Sequence, residues 1–160
     1  MIKDIDFILN GKKVTIKVNP LSRLLDVLRD NLNCKDVKEG CSEGECGACS
    51  VLLDDRIVTS CLIPIGAVQN HEIKTSNYVT STEKGKIIAE AFADGGAVQC
   101  GFCIPGMIIA AYDLLSRNSN PTEEEIRLGI SGNICRCTGY DLIVSSIRLA
   151  VERGGDIWKK

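Results

Sequence analysis

Nine cysteines stand in this sequence of 160 residues, and eight of them fall into two groups with metal-ligand spacing. Cys41, Cys46 and Cys49 follow the pattern C-x4-C-x2-C, with Cys61 after a hairpin's worth of further chain. That is the plant-type pattern in which four thiolates hold a 2Fe-2S cluster. Three ligands on one loop can wrap a small cluster only if the loop curls tightly and turns its backbone N–H groups toward the sulfurs. Gly40, Gly44 and Gly47 are expected to allow that curl. The second group is Cys100-Gly-Phe-Cys103 with Cys135-Arg-Cys137.

A structural zinc on four thiolates is the competing chemistry. Zinc usually draws its ligands from two separate CxxC-like knuckles, whereas three ligands of the first group crowd a single loop, so iron-sulfur is favoured there. At the second group the C-x-C pair strains a tetrahedral site on one ion, yet spacing alone leaves zinc open. His71 is the only histidine, which excludes a Rieske-type centre because that needs two. Cys34 belongs to neither group and is expected to be a small buried apolar residue. An odd cysteine count rules out complete pairing within the chain.

The elements that must position these groups change character along the chain. Ile5, Phe7 and Leu9, then Val14, Ile16 and Val18, alternate about Asn10-Gly11, which predicts a hairpin with a tight turn. Leu21 to Leu32 has helical spacing, with Leu24, Leu25, Leu28 and Leu32 on one side. A loop over 37–49 follows, then a hairpin over 50–59 turning at Asp54-Asp55, and a last short strand over 72–75. Beyond about Ser76 the pattern is helical. Thr80-Ser-Thr-Glu83 fits a capping box, Gly95-Gly96 ends that helix, and Pro105 suits the first turn of the next. Thr122-Glu-Glu-Glu125 is a second capping box, and a fourth helix is expected over about 141–153. Four helices of roughly 10 to 14 residues must pack as a bundle, because none is stable alone. The connections carrying the second cysteine group then fall at one end of that bundle. The tail from Gly154 is expected to be flexible, with Trp158 folded back or touching a partner.

Composition narrows the classes. Hydrophobic residues make up 44% and charged residues 25%, which suits a folded chain. Nineteen basic against 21 acidic residues give a net charge of -2, no basis for binding nucleic acid or an anionic membrane. Three Phe, three Tyr and one Trp are too few for a base-stacking surface. The N-terminus carries Lys3, Asp4 and Asp6 in place of a secretory apolar run, and no segment approaches the roughly 20 apolar residues of a membrane span. The cytoplasm, where thiols stay reduced, is therefore the expected compartment.

Gln99-Cys-Gly-Phe-Cys-Ile-Pro-Gly106 and Gly132-Asn-Ile-Cys-Arg-Cys-Thr-Gly-Tyr140, with Glu39-Gly-Cys-Ser-Glu-Gly-Glu-Cys-Gly-Ala-Cys49, closely resemble the small iron-sulfur subunit of molybdenum hydroxylases of the xanthine dehydrogenase type. The resemblance covers essentially the whole chain. It implies an α+β protein: an N-terminal β-grasp, plant-type ferredoxin-like domain over 1–76, then an all-α four-helix-bundle 2Fe-2S domain over 77–160. It displaces zinc at Cys100, Cys103, Cys135 and Cys137 in favour of a second 2Fe-2S cluster. Partners are then a large subunit with molybdopterin and a medium subunit with FAD, as a higher oligomer of the heterotrimer. By the same resemblance the bundle cluster lies nearest molybdenum and the ferredoxin cluster toward the flavin, and Gln99 and Cys137 are expected to contact the pterin. Ile104 stands where Thr is usual, which removes a hydroxyl but no ligand. The expected substrate is a purine such as xanthine, with nicotinate, an aldehyde, carbon monoxide or an aromatic acyl-CoA as alternatives. The chain itself carries no general-base constellation and no dinucleotide fingerprint, so its role is one-electron relay.

Overall fold

The computed structural model describes residues 1–159. Strands β1 (Lys3–Leu9) and β2 (Lys12–Val18) pair antiparallel about Asn10 and Gly11, both at positive φ, 52° and 76°. This is the left-handed pair that a two-residue hairpin turn requires. Ile5, Phe7 and Leu9 point inward and are buried, as the alternation predicts. Strands β3 (Ser50–Leu53) and β4 (Arg56–Thr59) form the second hairpin, with Asp54 and Asp55 both left-handed. Strand β5 (Glu72–Lys74) enters the centre, parallel to β1 and antiparallel to β3, so the sheet order is β2-β1-β5-β3-β4. Asn10 and Thr75 seal the junction: the Thr75 N–H donates to Asn10 Oδ1 at 2.9 Å, and Asn10 Nδ2 donates to Thr75 Oγ1 at 3.2 Å.

Helix α1 covers Leu24–Asp26 and continues as one π-helical turn over Val27–Asn31. It starts three residues later than its apolar spacing suggests. Leu21 donates to the Asn19 side chain, while Ser22 and Leu24 bond backbone to backbone with Ile65 and Ile63, which holds these residues extended. Leu24, Leu25 and Leu28 are fully buried against the sheet. Each contributes about 1.5–3 kcal/mol relative to leaving it exposed.

Short helix α2 (Ser76–Val79) precedes α3 (Glu83–Asp94), α4 (Ile104–Arg117), α5 (Glu123–Gly129) and α6 (Asp141–Gly154). The cap of α3 is Thr82, whose hydroxyl accepts from the Gly85 N–H, not a box opened by Thr80. Thr80 is spent closing α2, its hydroxyl donating to the Ser76 carbonyl. The Thr122/Glu125 capping box is present as expected. Helix α5 has only seven residues, because the chain turns after it: Ser131 and Asn133 bond back to Leu128 and Ile130 carbonyls. The tail is not loose. Residues Gly155–Trp158 form a 3-10 turn that buries Trp158 to 1% exposure, and its indole N–H donates to the Ala150 carbonyl at 3.1 Å.

Two buried apolar clusters result, one between the sheet and α1 and one within the helices. Leu52 belongs to the helical cluster while its neighbour Val51 belongs to the other, and Ile57 packs beside Leu52. The β3–β4 hairpin is thus covered on both faces, with α4 on the side that an isolated sheet would leave wet.

Candidate metal centres

The loop from Val37 to Cys49 is anchored before it curls. Arg29 donates to the Val37 carbonyl at 2.6 Å, and Glu39 accepts from Arg23 at 3.0 Å and from the Ser42 hydroxyl at 2.6 Å. Those two donors hold the Glu39 carboxyl below its usual range. The curl uses left-handed positions at Ser42, Gly44 and Gly47, with φ of 62°, 83° and 66°. Gly40 is not among them. It is needed for space, since a Cβ there would stand 2.8 Å from the Cys46 sulfur.

The loop turns its N–H groups toward sulfur as a thiolate site requires. The Glu43 N–H lies 3.5 Å from Cys41 Sγ, and the amides of Glu43 and Cys46 pull the Cys41 thiol down to about 7. Cys61 lies on the far side of the β3–β4 hairpin at the sheet's edge, beside Cys49, and burial lifts its thiol to about 11. Cys49 and Cys61 are 3% and 4% exposed, whereas Cys41 and Cys46 are half-exposed.

The second group repeats this division. Cys103 caps α4 and is buried beside Cys135, and burial pushes its thiol up to about 12. Cys100 and Cys137 neighbour each other at the surface. Cys100 is lowered by the Phe102 amide, and Cys137 is raised by its contact with Cys100. At Cys135, burial is the largest influence and works to raise the thiol, but hydrogen bonds from Thr138, the Cys137 amide and Cys103 together bring the net shift downward. The Thr138 hydroxyl is 3.1 Å from Cys135 Sγ, and the Cys135 N–H donates to the Tyr140 hydroxyl at 3.0 Å.

The eight thiols divide by exposure: Cys49, Cys61, Cys103 and Cys135 are buried, while Cys41, Cys46, Cys100 and Cys137 lie toward the surface. Each group has a buried pair and an outer pair. Among the described residues, no three Cys, His, Asp or Glu side chains converge on a point where one ion could sit. A single zinc needs four donors around one centre, while a two-iron cluster takes two thiolates per iron. Four thiolates in each group, two buried and two toward the surface, are a donor set that a 2Fe-2S cluster can take.

A cleft of about 230 Å³ runs between the groups, lined by Cys46 and all four cysteines of the second group, with Phe102 and Ile134 beside them. The Ile134 N–H donates to the Cys46 carbonyl at 2.9 Å, joining the backbone next to Cys135 to that of Cys46. Gln99 and Arg136 are exposed at the same end of the bundle. Cys34 is half-buried, packs at the edge of the sheet cluster, and has its thiol raised by burial. His71 is exposed, paired at 2.5 Å with Asp54. Sequence spacing did not reveal Thr138, Tyr140 or Asn133 as supports of the second group. Tyr140 has a left-handed backbone, φ 72°, which no pattern in the residues announces.

A family model for a 2Fe-2S iron-sulfur cluster binding domain matches residues 7–79, and one for a 2Fe-2S binding domain matches residues 75–148. The nicotinate dehydrogenase small FeS subunit of Eubacterium barkeri is 48% identical over 145 residues, covering 91% of this chain and 92% of that protein. The chain belongs to the small 2Fe-2S subunits of the molybdenum hydroxylase family. The xanthine dehydrogenase iron-sulfur-binding subunit of Escherichia coli O157:H7 is 40% identical to this subunit, over 89% of this chain and 91% of the relative. Among solved structures, quinoline 2-oxidoreductase from Pseudomonas putida 86 superposes with a TM-score of 0.89 at 35% identity, over 96% of this subunit and 98% of that chain. This is the iron-sulfur subunit of a multi-subunit oxidoreductase, and its role there is electron transfer. Among the described residues no helix is long and apolar enough to cross a membrane.

Proposed function

We propose that Cys41, Cys46, Cys49 and Cys61 hold one 2Fe-2S cluster and Cys100, Cys103, Cys135 and Cys137 the other. The clusters supply one-electron carriage between a molybdopterin centre on a large partner subunit and FAD on a medium one. The observation that carries this reading is that each group of four cysteines lies within its own match to a 2Fe-2S domain, residues 7–79 for the first and 75–148 for the second. The chain's own residues wrap the sites, aim amides at Cys41 and Cys100, and keep one pair of each group out of water. The domains divide at 76/77, each with one cluster. The exposure of Cys100, Cys137 and Gln99 supports a surface there that faces the molybdenum subunit, with Gln99 and Cys137 toward the pterin. The assembly is a cytoplasmic higher oligomer of the heterotrimer.

The substrate of the complex is a nitrogen heterocycle. The relatives at 48% and 40% identity carry the names of nicotinate and xanthine dehydrogenases, both ligands being of that class. Purified complex should show two distinct paramagnetic 2Fe-2S signals on reduction, and should oxidise nicotinate or xanthine with an artificial acceptor. A colourless protein holding zinc and no acid-labile sulfide would defeat the cluster reading. Turnover of aldehydes with none of either heterocycle would defeat the substrate reading alone.

A further inference from the structure

We infer that Asn133 is a positioning residue that sets the separation of the two clusters, by clamping the first cysteine loop onto the second. The inference rests on the two-cluster reading above and adds to it a residue that is not a ligand. Asn133 is 5% exposed, and its side-chain amide crosses between the two halves of the chain to donate to the Gly47 carbonyl at 3.0 Å. Gly47 lies between the ligands Cys46 and Cys49. Asn133 precedes Ile134 and Cys135, and its own N–H is fixed on the Ile130 carbonyl at 2.9 Å. One residue on, the Ile134 N–H reaches the Cys46 carbonyl at 2.9 Å. Among the described residues, these two hydrogen bonds are the ones that tie the 41–49 loop to the 132–137 loop.

The contact is closed by absent side chains as well as by hydrogen bonds. A Cβ on Gly47 would come within 2.4 Å of the Gly132 carbonyl oxygen and 2.5 Å of Asn133 Nδ2. A Cβ on Gly106, at the start of α4, would stand 2.4 Å from the Gly47 carbonyl oxygen. Three backbone segments, each within three residues of a ligand cysteine, thus meet where Gly47 and Gly106 leave no room for a Cβ, and Asn133 is the polar side chain at the junction. Electron transfer between fixed centres depends steeply on their separation, so a device that fixes this junction governs the rate of the relay.

Removing the clamp need not unfold the chain. The Gly47 carbonyl also accepts from the Ser50 N–H at 3.1 Å and the Ser50 hydroxyl at 2.7 Å, so Asn133→Ala orphans no buried acceptor there. Asn133→Asp keeps the size of the side chain but sets a carboxylate oxygen against the Gly47 carbonyl oxygen, so it pushes the junction apart where Asn133→Ala merely releases it.

The test uses the fully reduced complex, in which the two paramagnetic clusters split each other's resonance lines according to their separation. Native complex is measured first, and failure to show two 2Fe-2S signals would defeat the proposed function before any variant is read. With Asn133→Ala and Asn133→Asp, iron and sulfide content should stay at the native level. The splitting should narrow, and exchange of the Ile134 amide should speed up by about tenfold, the loss of one hydrogen bond's protection. Native splitting with native Ile134 protection in both variants would overturn the inference. Selective loss of iron from the second group would also overturn it, since Asn133 would then retain a cluster and not space two.

Discussion

The loop after Cys135 makes a closed circuit whose effect on the second cluster can be put in millivolts. The Cys135 N–H donates to the Tyr140 hydroxyl at 3.0 Å, the Tyr140 N–H donates to Thr138 Oγ1 at 3.2 Å, and Thr138 Oγ1 lies 3.1 Å from Cys135 Sγ. Because Tyr140 occupies a lone pair of the Thr138 oxygen, the hydroxyl proton is left to face the sulfur. A cluster-bound thiolate can only accept, so the bond runs from Thr138 to Cys135. Hydrogen bonds to charged groups contribute about 1.5–3 kcal/mol. An added electron spreads over the cluster and its four sulfurs, so about a third of that value, roughly 0.5–1 kcal/mol, distinguishes the reduced from the oxidised state. At about 59 mV per 1.4 kcal/mol for one electron, Thr138→Val should lower the second cluster's potential by roughly 20–45 mV. The first cluster should not move. A redox titration followed by the two paramagnetic signals reads both at once. An unchanged second potential, or an equal shift of both clusters, would refute the direction assigned to this hydrogen bond.

Three further outcomes follow from the same structure. Trp158→Ala removes a fully buried indole, a change worth about 3–5 kcal/mol, and at about 2–4 °C per kcal/mol the melting temperature should fall by roughly 6–20 °C; a melt within 2 °C or so of native would show the tail to be loose after all. Cys34→Ser should keep full iron content while Cys135→Ser loses the second cluster alone, and equal iron loss from both would break the ligand assignment. In metal-stripped protein at pH 8, iodoacetamide should label Cys41 ahead of Cys61 and Cys103. Cys41 is a thiolate above about 7, while the other two stay protonated to about 11 and 12. Labelling of Cys41 should therefore fall away as the pH is lowered through 7, and peptide mass spectrometry with no order among the three would contradict it.

The hairpins were legible because their turn residues carry the information: Asn10-Gly11 and Asp54-Asp55 take left-handed positions that few other pairs accept. The cysteine groups were legible because ligand spacing is a covalent constraint. Less visible was everything decided by contacts between distant segments. Leu21 fits the helical period but stays out of α1 because its neighbours Pro20 and Ser22 are held by strand-like bonds from Gly66 and Ile65, more than 40 positions away. Thr80 and Thr82 have similar capping chemistry, and only the presence of α2 decides between them. Val51-Leu52-Leu53 did carry a signal that alternation alone misses, since an unbroken apolar run means a strand covered on both faces. Gly154 in the tail resembles a flexible terminus, yet a Cβ there would collide with the Trp158 ring, so its small size serves close packing. Asn133 could not be picked out, because its partner Gly47 lies 86 positions away and nothing local links them.

The sheet order β2-β1-β5-β3-β4 bears on how the protein is made. Its central strand is the last to leave the ribosome, so β1 and β3 have no common neighbour until Glu72–Lys74 has been synthesised. Cys41, Cys46, Cys49 and Cys61 have all emerged by then, in a half-built domain that still exposes them. Domains generally complete themselves from the N-terminal side during synthesis. The first site therefore passes through a stage in which all four thiols are present and the scaffold is still open, before the loop bearing Asn133 exists to close over it.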